Sequence, residues 1–140
     1  MKTLLIIILL PVLANGQISL QIRSGYSFKT NEGIISPAIN FAAHGFALSP
    51  EFIVTTNDNS PAYFGLKIGY EYVIGNNWSL GAGYGRYFTL YSMDKYASYK
   101  NGWSNLVFSS VHWRSWFVEY GYMNGSMVSI GFKENIGGLQ

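Results

Sequence analysis

From Ala62 to Tyr91 apolar and polar positions alternate with a period of two. Ala62, Phe64, Leu66, Ile68, Tyr70, Tyr72 and Ile74 interleave with Tyr63, Gly65, Lys67, Gly69, Glu71 and Val73. After Gly75-Asn76-Asn77 the alternation resumes, with Trp78, Leu80, Ala82, Tyr84, Phe88 and Leu90 against Ser79, Gly81, Gly83, Gly85, Tyr87 and Thr89. A period of two sends the two sets to opposite faces of a strand. The stretch therefore predicts a hairpin of two long strands, with one bulky apolar face and one face of glycine, hydroxyl and charge.

The same period recurs on both sides of this hairpin. Ile18 to Phe28 reads as a strand, and Lys29 to Gly33 as a polar turn. Ile35 to Ala43 reads as a second strand with an irregular start at Pro37. Phe46 to Thr55 reads as a third, in which Pro50 calls for an edge or a bulge. Asn57 to Pro61 is a turn signal. Beyond the hairpin, Ser92 to Gly102 is a polar, tyrosine-rich loop. Trp103–Trp113 and Trp116–Met123 are strands joined by a tight reversal at Arg114-Ser115. Asn124-Gly125 signals a short hairpin before a last strand, Met127–Lys133, and a loose tail from Glu134 to Gln140. No 3.6-residue stripe persists beyond two turns.

Composition says which solvent these faces meet. Charged residues make up 11% of the 140 residues, aromatics 17%, and glycines number 16. Soluble domains carry roughly 25% charge, so a β-rich chain this poor in charge suits an outer surface that is not water. The formal charge of +2 is too small to imply nucleic acid as a partner, and no basic run exists, so none is expected. Without cysteine there is neither a disulfide nor a thiol nucleophile. Met1-Lys2-Thr3, the apolar run Leu4–Leu13 and the small residues Ala14-Asn15-Gly16 read as a secretory signal cleaved before Gln17. A retained anchor helix is the alternative, although the run is short of the roughly 20 residues a spanning helix needs. The domain reading is thus residues 1–16 as signal and 17–140 as one β-barrel domain.

Eight segments, most of about 9–12 residues, match the length of tilted bilayer-crossing strands. An even count lets an antiparallel meander close on itself. The larger, more uniform set is aliphatic and aromatic, while the alternate set is small or charged. Compact side chains suit the inside of a small barrel, which places the apolar face in lipid. The expected fold is all-β: an antiparallel up-and-down transmembrane β-barrel of about eight strands. A soluble lipocalin-like barrel that binds an apolar ligand is the alternative. With the N-terminus in the periplasm, Gly75–Asn77 and Arg114-Ser115 become short periplasmic turns and Ser92–Gly102 an extracellular loop. Trp78, Trp113 and Trp116 then form the periplasmic aromatic girdle, and Tyr26, Phe28, Tyr91 and Trp103 the outer one. Arg86 breaks the apolar set; it either snorkels to headgroup phosphates among Tyr84, Tyr87 and Tyr91, or is turned inward by a bulge.

The run Ile68-Gly69-Tyr70-Glu71-Tyr72, continued by Gly75-Asn76-Asn77-Trp78-Ser79-Leu80-Gly81-Ala82-Gly83-Tyr84, resembles the strand–turn–strand unit of small OmpA-like outer-membrane β-barrels. The signal, the strand count and the aromatic last strand extend the resemblance over most of the chain. It implies an outer-membrane barrel, in contact with membrane lipid and lipopolysaccharide. The chain departs from the pattern in having no peptidoglycan-binding domain after the barrel and eight residues after Phe132.

Two constellations carry candidate chemistry. Pairing across the turns sets Glu51 against Lys67, Lys67 opposite Gly85 and Glu71 opposite Gly81; with Arg23 these make a lumen charge network. Buried charges need partners, so the network reads as a salt-bridged plug, with a gated path as the alternative. Folding about Arg114-Ser115 sets Ser110 opposite Glu119, with His112 two residues from Ser110: nucleophile, base and carboxylate in the manner of an esterase. Lipid A deacylases carry a similar set in the order His-x-Ser, whereas here it is Ser-x-His and faces the lumen. The expected role is structural or interaction-based through the outer loops, with a lipid-modifying hydrolase at Ser110, His112 and Glu119 as the runner-up. A partner is expected at Ser92–Gly102. No cofactor is expected, nor a metal at His44, and the barrel is read as a monomer.

Overall fold

The computed structural model describes residues 16–56, 62–90 and 102–138. Residues 1–15 of the expected signal, the expected turn Asn57–Pro61, Tyr91, all but Gly102 of the expected Ser92–Gly102 loop, and residues 139–140 lie outside the described residues. The chain forms eight strands: β1 (Gln17–Ser27), β2 (Glu32–Ala43), β3 (Phe46–Thr55), β4 (Ala62–Val73), β5 (Trp78–Leu90), β6 (Trp103–Trp113), β7 (Trp116–Tyr122) and β8 (Ser126–Gly138). Each pairs antiparallel with its neighbours in sequence, and β8 closes on β1 into a barrel.

Closure removes every sheet edge, so Pro50 finds no edge strand and Pro37 does not begin one. Both sit mid-strand on the same seam, and the β2–β3 ladder is interrupted beside them while Ala38 still pairs with Glu51. Pro37 lies opposite Ile22 on β1, and Pro50 opposite Leu66 on β4. A proline has no N–H for the ladder, and the gaps absorb that loss. The second strand begins at Glu32, so the turn shrinks to Phe28–Asn31. The tail also differs from expectation. β8 continues through Glu134 to Gly138, paired with Gln17 to Leu20 across a bulge at Ile18/Ser19.

One end of the barrel, the turn end, holds Gln17 and the short turns. His44 (φ 53°) and Gly45 (φ 84°) alone separate Ala43 from Phe46. A two-residue turn with both φ positive is the twist-matched hairpin connection, so His44 occupies a turn position. At the other end, the loop end, Met123, Asn124 and Gly125 connect the paired residues Tyr122 and Ser126 of the last hairpin. The left-handed residue of that connection is Asn124 (φ 58°), not Gly125.

The apolar set faces out along every strand. Ile68 is 54% exposed, and Leu80, Val107, Val118 and Ile130 are likewise exposed. Aromatic bands flank this wall. Trp78 packs on Trp113 and Trp116 on Phe132 at the turn end, while Tyr26 packs on Phe28 and Phe88 on Trp103 at the loop end. Trp103 and Trp113 stand at the two ends of the 11-residue β6. At about 3.3 Å per residue and a tilt of about 40°, they are about 25 Å apart along the barrel axis, the height of a bilayer's apolar band.

Candidate functional site

The inward set meets in the lumen as three layers. The middle layer is charged. Arg23 on β1 donates through Nε to Glu51 Oε1 at 2.6 Å and through Nη1 to Glu119 Oε1. Lys67 on β4 donates to Glu119 Oε2 at 2.6 Å and stands 4.0 Å from Glu51 Oε2. Ser36 and Tyr87 donate hydroxyl protons to the two oxygens of Glu51. Two cations and two carboxylates thus balance among side chains that are almost wholly buried, and the Lys67 ammonium also sits over the Phe108 ring at 4.3 Å.

The pairings expected from sequence divide into those the structure holds and those it moves. Lys67 lies opposite Gly85 and Glu71 opposite Gly81, as the β4–β5 turn requires. Glu51 lies opposite Gly65 and Lys67 opposite Ser49, so the β3–β4 register is two residues from the one expected and Glu51 and Lys67 meet diagonally. Glu71 is not in the central layer. It accepts from Lys133 at 3.0 Å and from Ser79, nearer the turn end. Its place beside Lys67 and Arg23 is taken by Glu119, which sequence spacing assigns to an esterase set.

Glycine makes the room. A Cβ on Gly85 would come 2.7 Å from the Tyr87 ring and 3.1 Å from Lys67 Cγ, and one on Gly81 would collide with Ser110 Oγ. Tyr87, fully buried, faces inward and away from Arg86. The β5 register runs unbroken on both sides, so Arg86 faces outward with no bulge.

Toward the loop end the charged layer is covered by Ile34, Ile53, Leu106, Met123 and Met127, packed with Tyr87. Toward the turn end Phe117 stacks on His112 at 5.2 Å, and Asn40 links Ser49 and Ser19 by hydrogen bonds.

Ser110 lies opposite Glu119 as expected, and Ser110 Oγ is 2.9 Å from His112 Nε2. The third member is missing: both oxygens of Glu119 are held by Arg23 and Lys67. The lumen cavity these residues border is about 40 Å³. Ligand pockets run from about 300 Å³ upward, so this one has room for water and none for an acyl chain. The arrangement holds a hydroxyl and an imidazole together on the lumen face, with the carboxylate of Glu119 engaged elsewhere. Trp78, Trp113 and Trp116 are exposed on the outer wall at the turn end and Trp103 at the loop end.

No family model and no curated protein sequence matches the chain. Solved structures do. A de novo designed transmembrane β-barrel aligns at 17% identity over 86% of this chain and 96% of the other, with a TM-score of 0.67. The N-terminal β-barrel domain of Pseudomonas aeruginosa OprF aligns at 11% identity over 85% and 99%, with a TM-score of 0.58. The Yersinia pestis outer membrane protein Ail aligns at 14% identity over 85% and 99%, with a TM-score of 0.52. The fold is therefore that of an eight-stranded antiparallel transmembrane β-barrel.

Proposed function

We propose that this protein is a small outer-membrane β-barrel, inserted after removal of residues 1–16, whose lumen is closed and whose role is structural or interaction-based through its extracellular loops. The observation that carries the reading is the outer wall. Among the described residues it is apolar on every strand but for Arg86 on β5 and Glu134 near the end of β8, and it is bounded by aromatic bands about 25 Å apart. A soluble ligand-binding barrel needs the reverse: a polar exterior and an apolar interior. Here the interior is charged and filled. The fold likeness to Ail, an outer membrane protein, supports the same location.

In this reading the turn end faces the periplasm and the loop end faces outward, with Ser92–Gly102 as the surface for a partner. The barrel contacts membrane lipid and lipopolysaccharide, needs no cofactor and stands as a monomer. Closure of the lumen rests on the balanced Arg23–Glu51–Lys67–Glu119 layer beneath the apolar layer. Expression of the full chain followed by membrane fractionation, with gel migration before and after boiling, tests the location. Recovery in the outer membrane with heat-modifiable migration is the expected result; recovery in a soluble fraction would overturn it.

A further inference from the structure

Among the described residues, the outward-facing positions of β1 to β7 carry one charged side chain, Arg86. Among the described residues Arg86 has no ion-pair partner, and a cation on an apolar wall is costly in hydrocarbon unless it reaches the interface or an anion. Its geometry shows which way it turns. Arg86 lies opposite Asn105 on β6, whereas Trp103 is one outward position nearer the loop end, opposite Phe88. The guanidinium carbon sits 4.8 Å from the Trp103 ring centroid, so the side chain leans toward the loop end. Trp103 is itself braced edge-on by Phe88 at 5.5 Å.

The neighbours supply donors. Tyr84 donates its hydroxyl proton to Asn105 Oδ1 at 2.5 Å. That bond engages the amide oxygen and leaves the Asn105 NH2 without a partner among the described residues. Arg86 holds the paired position on β5, and its guanidinium offers five N–H donors and no acceptor. A cationic, donor-rich cluster at the upper border of an apolar wall is complementary to an anion rich in oxygens and held at headgroup height. A phosphate monoester fits best, because its three terminal oxygens allow the guanidinium to grip two in parallel while a third remains for the amide.

We propose that Arg86 and Asn105, on the Trp103 platform, form an outer-wall site for a phosphate group of lipid A. The proposal rests on the membrane reading above, which sets the loop end in the outer leaflet. Native mass spectrometry of the refolded full chain, given lipid A, phosphatidylglycerol or phosphatidylcholine at matched concentrations, tests it. The expected result is lipid A adducts on the wild type that weaken about tenfold or more in Arg86→Gln, the loss of a charge-assisted bond. Arg86→Lys, which keeps charge and loses the fork, should fall between. Equal adducts in wild type and Arg86→Gln, or phosphatidylglycerol binding as well as lipid A, would overturn the site. Heat-modifiable insertion of both proteins into vesicles is scored in parallel: insertion without Arg86-dependent binding defeats this site alone, whereas failure of the wild type to insert defeats it together with the membrane reading.

Discussion

Replacing Glu119 with glutamine strikes the central layer where it is most exposed to loss. Glu119 accepts from both Arg23 and Lys67 and is 3% exposed. The amide keeps the shape but leaves two buried cations facing the single carboxylate of Glu51. Removing one partner of a buried ion pair costs about 3–5 kcal/mol. Arg23 retains Glu51 at 2.6 Å, and Lys67 retains it at 4.0 Å, so the expected loss is near the lower end, about 3 kcal/mol. With a urea slope of about 2 kcal/mol per molar, the unfolding midpoint in lipid vesicles, followed by tryptophan fluorescence, should fall by about 1.5 M. Lys67→Met combined with Glu119→Gln restores one cation to one carboxylate, and should be less destabilised than the sum of its two single variants. A Glu119→Gln midpoint equal to the wild type, or strict additivity in the cycle, would refute the claim that this layer acts as one balanced unit.

Three further outcomes are expected. Gly83→Val should destabilise the folded barrel by about 1–3 kcal/mol through overpacking, because its Cβ would collide with the Ile68 carbonyl oxygen and lie 2.7 Å from the Phe108 ring; the same vesicle titration reads it. Ile68→Arg, on the outer wall, should cost about 2–4 kcal/mol at mid-depth in a bilayer, whereas an unchanged midpoint would argue for a wall that faces water. Overexpression of the wild type and of Ser110→Ala should leave identical lipid A mass spectra, and a mass shift present only with the wild type would restore the hydrolase reading.

The period-two pattern carried most of the fold, because a barrel with one solvent outside and another inside imposes strict alternation on nearly every strand. Pairings across short turns were legible for the same reason that hairpin registers are: Gly75–Asn77 fixes Lys67 against Gly85, and Arg114-Ser115 fixes Ser110 against Glu119. The β3–β4 register was not, since the connection through Asn57–Pro61 leaves its length in the ladder open, and Glu51 settled opposite Gly65. The role of Glu119 was hidden because its partners lie across the lumen on β1 and β4, strands it does not adjoin. Local spacing reports neighbours on a sheet and is blind to contacts through the middle of a barrel. The end of β8 was hidden similarly. Asn135, Gly137 and Gly138 are poor strand formers, and they extend only because Gln17 to Ser19 offer a partner across a bulge.

A closed lumen is most directly tested by planar-bilayer recording from purified, refolded protein. The charged layer and the apolar layer above it predict a flat baseline at voltages at which the bilayer itself stays intact. Reproducible single-channel steps that scale with protein added would contradict it.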